Sequence, residues 1–225
     1  MPNRIVGAAY DFKAALDLAA AFVRSGLTVD VFNAAQYRPS GAQVAVYNLE
    51  SFFFDPDREY SAMHELFSGV PAGTLCFLKS DSSLRGNIGS ELRALMDARS
   101  QTSLLFVPAL PGAQKYTENG VQYQLKDGQK SILADAKQLI GAFRATPVAD
   151  AMTADGVYVA DCTSAAAFDA LVDGIARARP TILAGTSALA GRLARAFALT
   201  PQANVLLDGK RGVLSLDTLE WKEES

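Results

Sequence analysis

The chain has 225 residues, 21 Lys and Arg against 24 Asp and Glu, and a formal net charge of -3. It therefore has no global field to gather nucleic acid or an anionic membrane surface, and any anion must be held by a local site. With 49% apolar residues the chain can bury roughly 70% of its unfolded surface around a core, so one domain over residues 1–225 is the expectation.

The opening residues, MPNRIVGAAYDF, lead directly into a strand pattern instead of a basic and apolar leader. No apolar run reaches the length of a membrane span, and a cytoplasmic protein is predicted. Short β-rich runs then alternate with longer helical patterns. Strands are predicted at RIVGAA (4–9), LTVDVFN (27–33), QVAVYN (43–48), TLCFLK (74–79), SLLFVPA (103–109), GVYVADC (156–162) and PTILAG (180–185). Apolar positions at 88, 92, 95 and 96 mark a helix to about Ala98, and 165–178 and 187–198 show the same period. This alternation predicts an α/β fold: an open, mostly parallel sheet in a Rossmann-like three-layer arrangement.

Between Gly112 and Gly128 the pattern changes. Asn119-Gly120 and Asp127-Gly128 flank a short alternating run and predict a small β-hairpin insertion near 112–128. The last residues, LEWKEES, read as a solvated tail. Cys76 and Cys162 sit in apolar runs, where a thiol acts as a small buried hydrophobe. His64 has no companions for a zinc site or a Cys-His nucleophile and reads as a surface or half-buried helix residue; no metal site is expected.

The richest stretch is Lys79-Ser-Asp-Ser-Ser-Leu-Arg85-Gly-Asn-Ile-Gly89, charged groups placed after a buried strand and before a helix. Ligands of open α/β sheets bind outside the carboxyl ends of strands, and a helix N-terminus offers free N–H groups to an anion. Arg85 can clamp a carboxylate, Lys79 adds a point charge, and Asp81 and Asn87 can bind hydroxyls. Equally, Ser82, Ser83 or Asn87 can cap a helix while Lys79 and Arg85 pair with surface acids. Pattern alone leaves both readings open.

KSDSSLRGNIGSEL resembles the K-x-D-S-T-L-R-G-N-x-G-x-E-L signature of the four-carbon acid sugar kinase family, with one conservative change at Ser83. VPALPGAQKYTENGVQY resembles that family's A-P-A-F-P and G-R-T-T-x-x-G-x-H blocks, with Lys115 where the family has arginine. VYVADCTSAAAFDAL and ILAGTSALAGRLARAF, with Asp161 and Gly185, are similar to the last two strand-helix units of its N-terminal domain. The resemblance implies the substrate-binding half of an ATP-dependent kinase of small sugar acids, tetronate derivatives among them. It implies Lys79, Asp81, Ser82, Arg85, Gly86, Asn87 and Lys115 as substrate contacts, together with Asp11 and Asp17; it assigns no catalytic residue.

Three features depart from the family. Ala9-Tyr10-Asp11-Phe12-Lys13-Ala14-Ala15-Leu16-Asp17 stands where the family has A-D-D-L-T-G-A-x-D, so Tyr10 replaces an aspartate and Ala14 a glycine. Leu49-Glu50-Ser51-Phe52 stands where the family has T-E-S-R, an aromatic replacing an arginine. The family's glycine-rich ATP-binding C-terminal domain has no counterpart in the 225 residues, which carry no GxxxxGK[ST] loop.

The leading expectation is therefore a sugar-acid-binding half completed by a separate ATP-binding subunit, with ATP and Mg implied only through that partner. A stand-alone binding or regulatory module is the alternative. An independent enzyme using Asp11 or Asp81 as a general base ranks last, because nothing supplies an electrophile. The partners expected are a small anionic sugar acid and that subunit, with a homo-oligomer left open and neither nucleic acid nor membrane.

Overall fold

The structure is a computed structural model and describes residues 4–146, 152–197, 199, 204–208, 210–214 and 221–223. In chain order it begins with β1 (Ile5–Ala9), α1 (Phe12–Arg24), β2 (Thr28–Asn33), β3 (Val44–Asn48), α2 (Pro56–Ser68), β4 (Leu75–Lys79), α3 (Ile88–Ala98) and β5 (Ser103–Val107). Three short strands follow, β6 (Lys115–Glu118), β7 (Val121–Lys126) and β8 (Gln129–Asp135), then α4 (Ala136–Ile140) and β9 (Arg144–Thr146). The chain continues with β10 (Gly156–Ala160), α5 (Ala165–Ala178), β11 (Ile182–Gly185), α6 (Ser187–Ala196), β12 (Asn204–Leu207), β13 (Lys210–Leu214) and β14 (Trp221–Glu223).

The main sheet runs β14-β13-β12-β2-β3-β1-β4-β11-β5-β10-β9. From β12 to β9 its nine strands are parallel, and β13 and β14 extend it antiparallel at one edge. Every residue of β1, β3 and β4 is buried, as unbroken apolar runs covered on both faces require. Alternation along each strand feeds two cores. On one face Leu18, Phe22, Phe77, Leu105, Leu171 and Leu193 pack under α1, α5 and α6. On the other Met63, Phe67, Leu78, Leu95 and Phe106 pack under α2 and α3.

All seven expected strands and the three expected helices are present; α6 ends at Ala196, and residue 198 lies outside the described residues. The expected hairpin is present as β6 and β7, and β8 extends it into a three-stranded antiparallel sheet, because both turns close: Asn119 and Gly120 have φ 51° and 76°, Asp127 and Gly128 have 50° and 75°. One expectation is corrected. The expected tail contains β14, whose Trp221 is partly buried and packs against the core, so its apolar ring outweighs its charged neighbours; 219, 220, 224 and 225 lie outside the described residues.

Cys76 and Cys162 are buried, and burial pushes their thiols up to about 12 and about 11. His64 is half-buried on α2 and stacks on Tyr60 at 5.7 Å. No helix of the described residues is long and apolar enough to cross a membrane.

Candidate functional site

Helix α1 leaves β1 toward one face of the sheet, whereas α2 and α3 leave β3 and β4 toward the other. The loops therefore part at the carboxyl ends of β1 and β4, which is where an open parallel sheet opens a crevice. A cavity of about 650 Å³ lies there, walled by Tyr10 and Asp11 after β1, Glu50, Phe52 and Phe53 after β3, Asp81, Ser82 and Arg85 after β4, and Thr186 and Ser187 after β11. Helix α1 adds Lys13 and Asp17.

Lys79 is the last residue of β4 and only 6% exposed. Its ammonium donates to the Ser80 carbonyl at 3.0 Å and stands 3.7 Å from Asp17 Oδ2. Burial lowers its proton affinity, and the carboxylates of Asp17, Asp81 and Asp11 work against that shift. Asp11 is the N-cap of α1 and accepts from the Ala14 N–H at 2.6 Å through one oxygen.

Asp81 folds its own loop. It accepts from the Ser83 N–H at 2.8 Å and from Arg85 Nε at 3.1 Å and Nη2 at 2.7 Å. Burial raises its proton affinity, but the Arg85 and Ser83 donors together outweigh burial and hold the carboxyl below its ordinary value. The Tyr10 hydroxyl points to Asp81 Oδ2 at 3.4 Å, and burial with the nearby Asp81 and Asp11 charges pushes its own proton affinity up. The wall opposite is aromatic: Tyr10 and Phe52 meet at 5.3 Å, and Phe53 stands edge-on to Phe52 at 93% exposure.

The backbone is strained at this edge. Glu50 and Leu84 sit at φ 49° and 58°, and Gly86 takes 97° where a side chain would be disfavoured. Gly185 serves a close approach, since a Cβ there would lie 2.7 Å from the Val107 carbonyl.

Of the sequence-derived residues, Asp11, Asp17, Lys79, Asp81, Ser82 and Arg85 converge on the cavity. Gly86, Asn87 and Lys115 do not line it. Lys115 reaches from β6 to the hydroxyls of Ser82 at 3.0 Å and Ser83 at 2.8 Å, and so buttresses the loop from behind. Gln122 does the same through the Ser82 carbonyl at 2.9 Å. The Asn87 amide turns to the Phe54 carbonyl at 3.0 Å and Glu59 Oε2 at 2.7 Å. Sequence reasoning missed Glu59, Gln122 and Thr186, and only the last, beside Gly185, carried a local signal.

The lining holds four carboxylates, Asp11, Asp17, Glu50 and Asp81, against three cations, Lys13, Lys79 and Arg85. Such a mixture suits a ligand that brings both a carboxylate and hydroxyls, because carboxylates accept from hydroxyls and repel a bare polyanion. Among the described residues no group of three His, Cys, Asp or Glu side chains is placed to hold a metal.

An open, mostly parallel sheet with a charged cavity at its switch point is the arrangement in which α/β folds hold small ligands. The chain belongs to the family of sugar-binding N-terminal domains, whose sequence pattern matches residues 6–135. It is 31% identical over 121 residues to the D-threonate kinase of Salmonella typhimurium, a match that takes in 52% of this chain and 29% of that enzyme. A domain of unknown function from Bordetella bronchiseptica, a domain-swapped dimer with bound citrate, shares the fold with TM-score 0.72 and 23% identity over 87% of this chain and 56% of its own. A Haemophilus influenzae protein shares it with TM-score 0.67 and 19% identity over 93% and 57%. The chain thus spans little more than half of these solved relatives. The resemblance to the N-terminal domain of four-carbon acid sugar kinases holds.

Proposed function

We propose that this domain binds a small four-carbon sugar acid of the tetronate class in the cavity above β1 and β4, and that an ATP-binding unit contributed from elsewhere completes phosphoryl transfer to it. The observation that carries this reading is the convergence of Lys79, Asp81, Arg85, Asp11 and Asp17 on one cavity. The kinship with D-threonate kinase and the citrate of the Bordetella relative, a small hydroxylated carboxylate, support it.

Arg85 is the anchor for the acid. Asp81 holds its Nε and Nη2, no protein partner takes Nη1 among the described residues, and the side chain is 68% exposed toward ligand and solvent. Asp11 and Asp17 accept hydroxyl protons, and Lys79 gives the floor a compensating charge. Phosphoryl transfer needs positioning and charge neutralisation around the nucleotide, so ATP and Mg belong to the completing unit. Two unpaired cysteines fit a reducing compartment, which supports a cytoplasmic location. A homo-oligomer has its precedent in the Bordetella dimer.

Isothermal titration with D-threonate, its stereoisomers, citrate and Mg-ATP tests the reading. One sugar acid binds and Mg-ATP does not. Arg85→Ala weakens the sugar acid by roughly tenfold to a hundredfold, as loss of a charge-assisted contact does. Absence of binding by every acid, or an Arg85→Ala affinity equal to wild type, removes the proposal.

A further inference from the structure

Behind the cavity, on the α2 and α3 face of the sheet, two acids are buried: Glu59 on α2 and Glu91 on α3, 1% and 2% exposed. Glu59 accepts from the Ser51 hydroxyl at 2.8 Å through Oε1 and from the Asn87 amide at 2.7 Å through Oε2. The same amide donates to the Phe54 carbonyl at 3.0 Å. One bridge therefore ties the loop carrying Phe52 and Phe53, one wall of the cavity, to the loop carrying Asp81 and Arg85, the other wall. Asn87 precedes α3 yet makes no side-chain capping bond, so its amide is given over to this bridge.

Glu91 faces Glu59. Its Oε2 has no hydrogen-bond partner among the described residues, and its Oε1 lies 3.9 Å from the place a Cβ on Gly86 would take. Two ionised carboxylates in a buried site carry a steep desolvation cost, whereas a proton on Glu91 makes it a donor to its neighbour. Burial raises the proton affinity of Glu91 well above the ordinary range; Glu59 from α2 and Asp81 from the loop raise it further, and Lys79 from β4 opposes them.

We propose that Glu59 and Glu91 share one proton and act as positioning residues, fixing through Asn87 the spacing between the two walls of the cavity. Neither acid lines the cavity itself. Only the ligand arm of the test rests on the sugar-acid reading.

The proton is read from pH. A carboxyl whose native proton affinity is raised keeps a proton that the unfolded chain releases, so stability is lost as pH rises above the ordinary value of 4.5 toward the native one. Glu91→Gln cannot release that proton. The melting temperature of wild type falls relative to Glu91→Gln as pH is raised from about 4.5 toward 8; parallel profiles overturn the shared proton.

Positioning is read from amide exchange. Asn87→Ala and Glu59→Gln speed exchange together at 50–55 and 81–88 and leave α5 and α6 unchanged. A lost helix cap would not reach 50–55, and should Glu59→Gln fail to fold, Asn87→Ala carries the arm. Exchange at 50–55 as slow as in wild type overturns the positioning role. With D-threonate as probe, Asn87→Ala weakens binding about tenfold while Glu91→Gln stays within about threefold; equal affinities for wild type and Asn87→Ala overturn it as well. A wild type that takes none of the sugar acids contradicts the sugar-acid reading, while the pH and exchange arms still decide the pair.

Discussion

Asp81 accepts from its own loop on one side and from Arg85 on the other, and both sets of donors favour the charged form. Its carboxyl is 8% exposed, but Arg85 is largely in water, so solvent screens part of the attraction. Asp81→Asn should cost about 1–2 kcal/mol at neutral pH in urea unfolding. The native carboxyl is held below its ordinary value of 3.8, so its contribution is present above that value and lost as pH falls through the native one. The gap between wild type and Asp81→Asn therefore narrows below about pH 4, and a gap constant with pH would contradict this account. Lys79, Asp81 and Arg85 were legible in the sequence because they cluster at the carboxyl end of one buried strand and in the short loop that follows it. The Asn87 amide was not: its acceptor, Glu59, stands 28 positions earlier in the chain and meets it only when α2 packs on α3. Tyr10 and Phe52 were visible as departures from a family pattern, but their contact at 5.3 Å belongs to the tertiary fold.

The elements were read best where one physical signal dominates. Parallel strands covered on both faces must be continuously apolar, and each of those runs was visible. Strand β8 was not, since its first four residues are exposed and Ile132 stands 73% exposed, leaving no buried face to write a pattern. Strand β9 has only three residues, too few for a period. The insertion matters to the site because Lys115 and Gln122 brace the Ser82–Ser83 turn from it. Its first turn depends on Gly120, at φ 76°, where a Cβ would fall 2.1 Å from the Phe143 ring. Gly120→Ala should destabilise by about 1–3 kcal/mol and speed amide exchange through 115–135. Stability equal to wild type would show that the turn is not held as described.

At the scale of the whole molecule, two cores grip one sheet and leave the carboxyl ends of its central strands to divergent loops, which is why charge and strain gather at that edge. The fold follows from alternation of strands and helices and needed no site to specify it; the cavity follows from where α1 parts from α2 and α3. Membership of the sugar-binding N-terminal domain family, with kinship to D-threonate kinase, gives the cavity its proposed ligand. The most direct measurement is a crystal structure of the protein grown with D-threonate. The account predicts the acid in the cavity, its carboxylate within hydrogen-bond distance of Arg85 and its hydroxyls on Asp11, Asp17 or Asp81. D-threonate bound elsewhere on the protein, with that cavity empty, would contradict it.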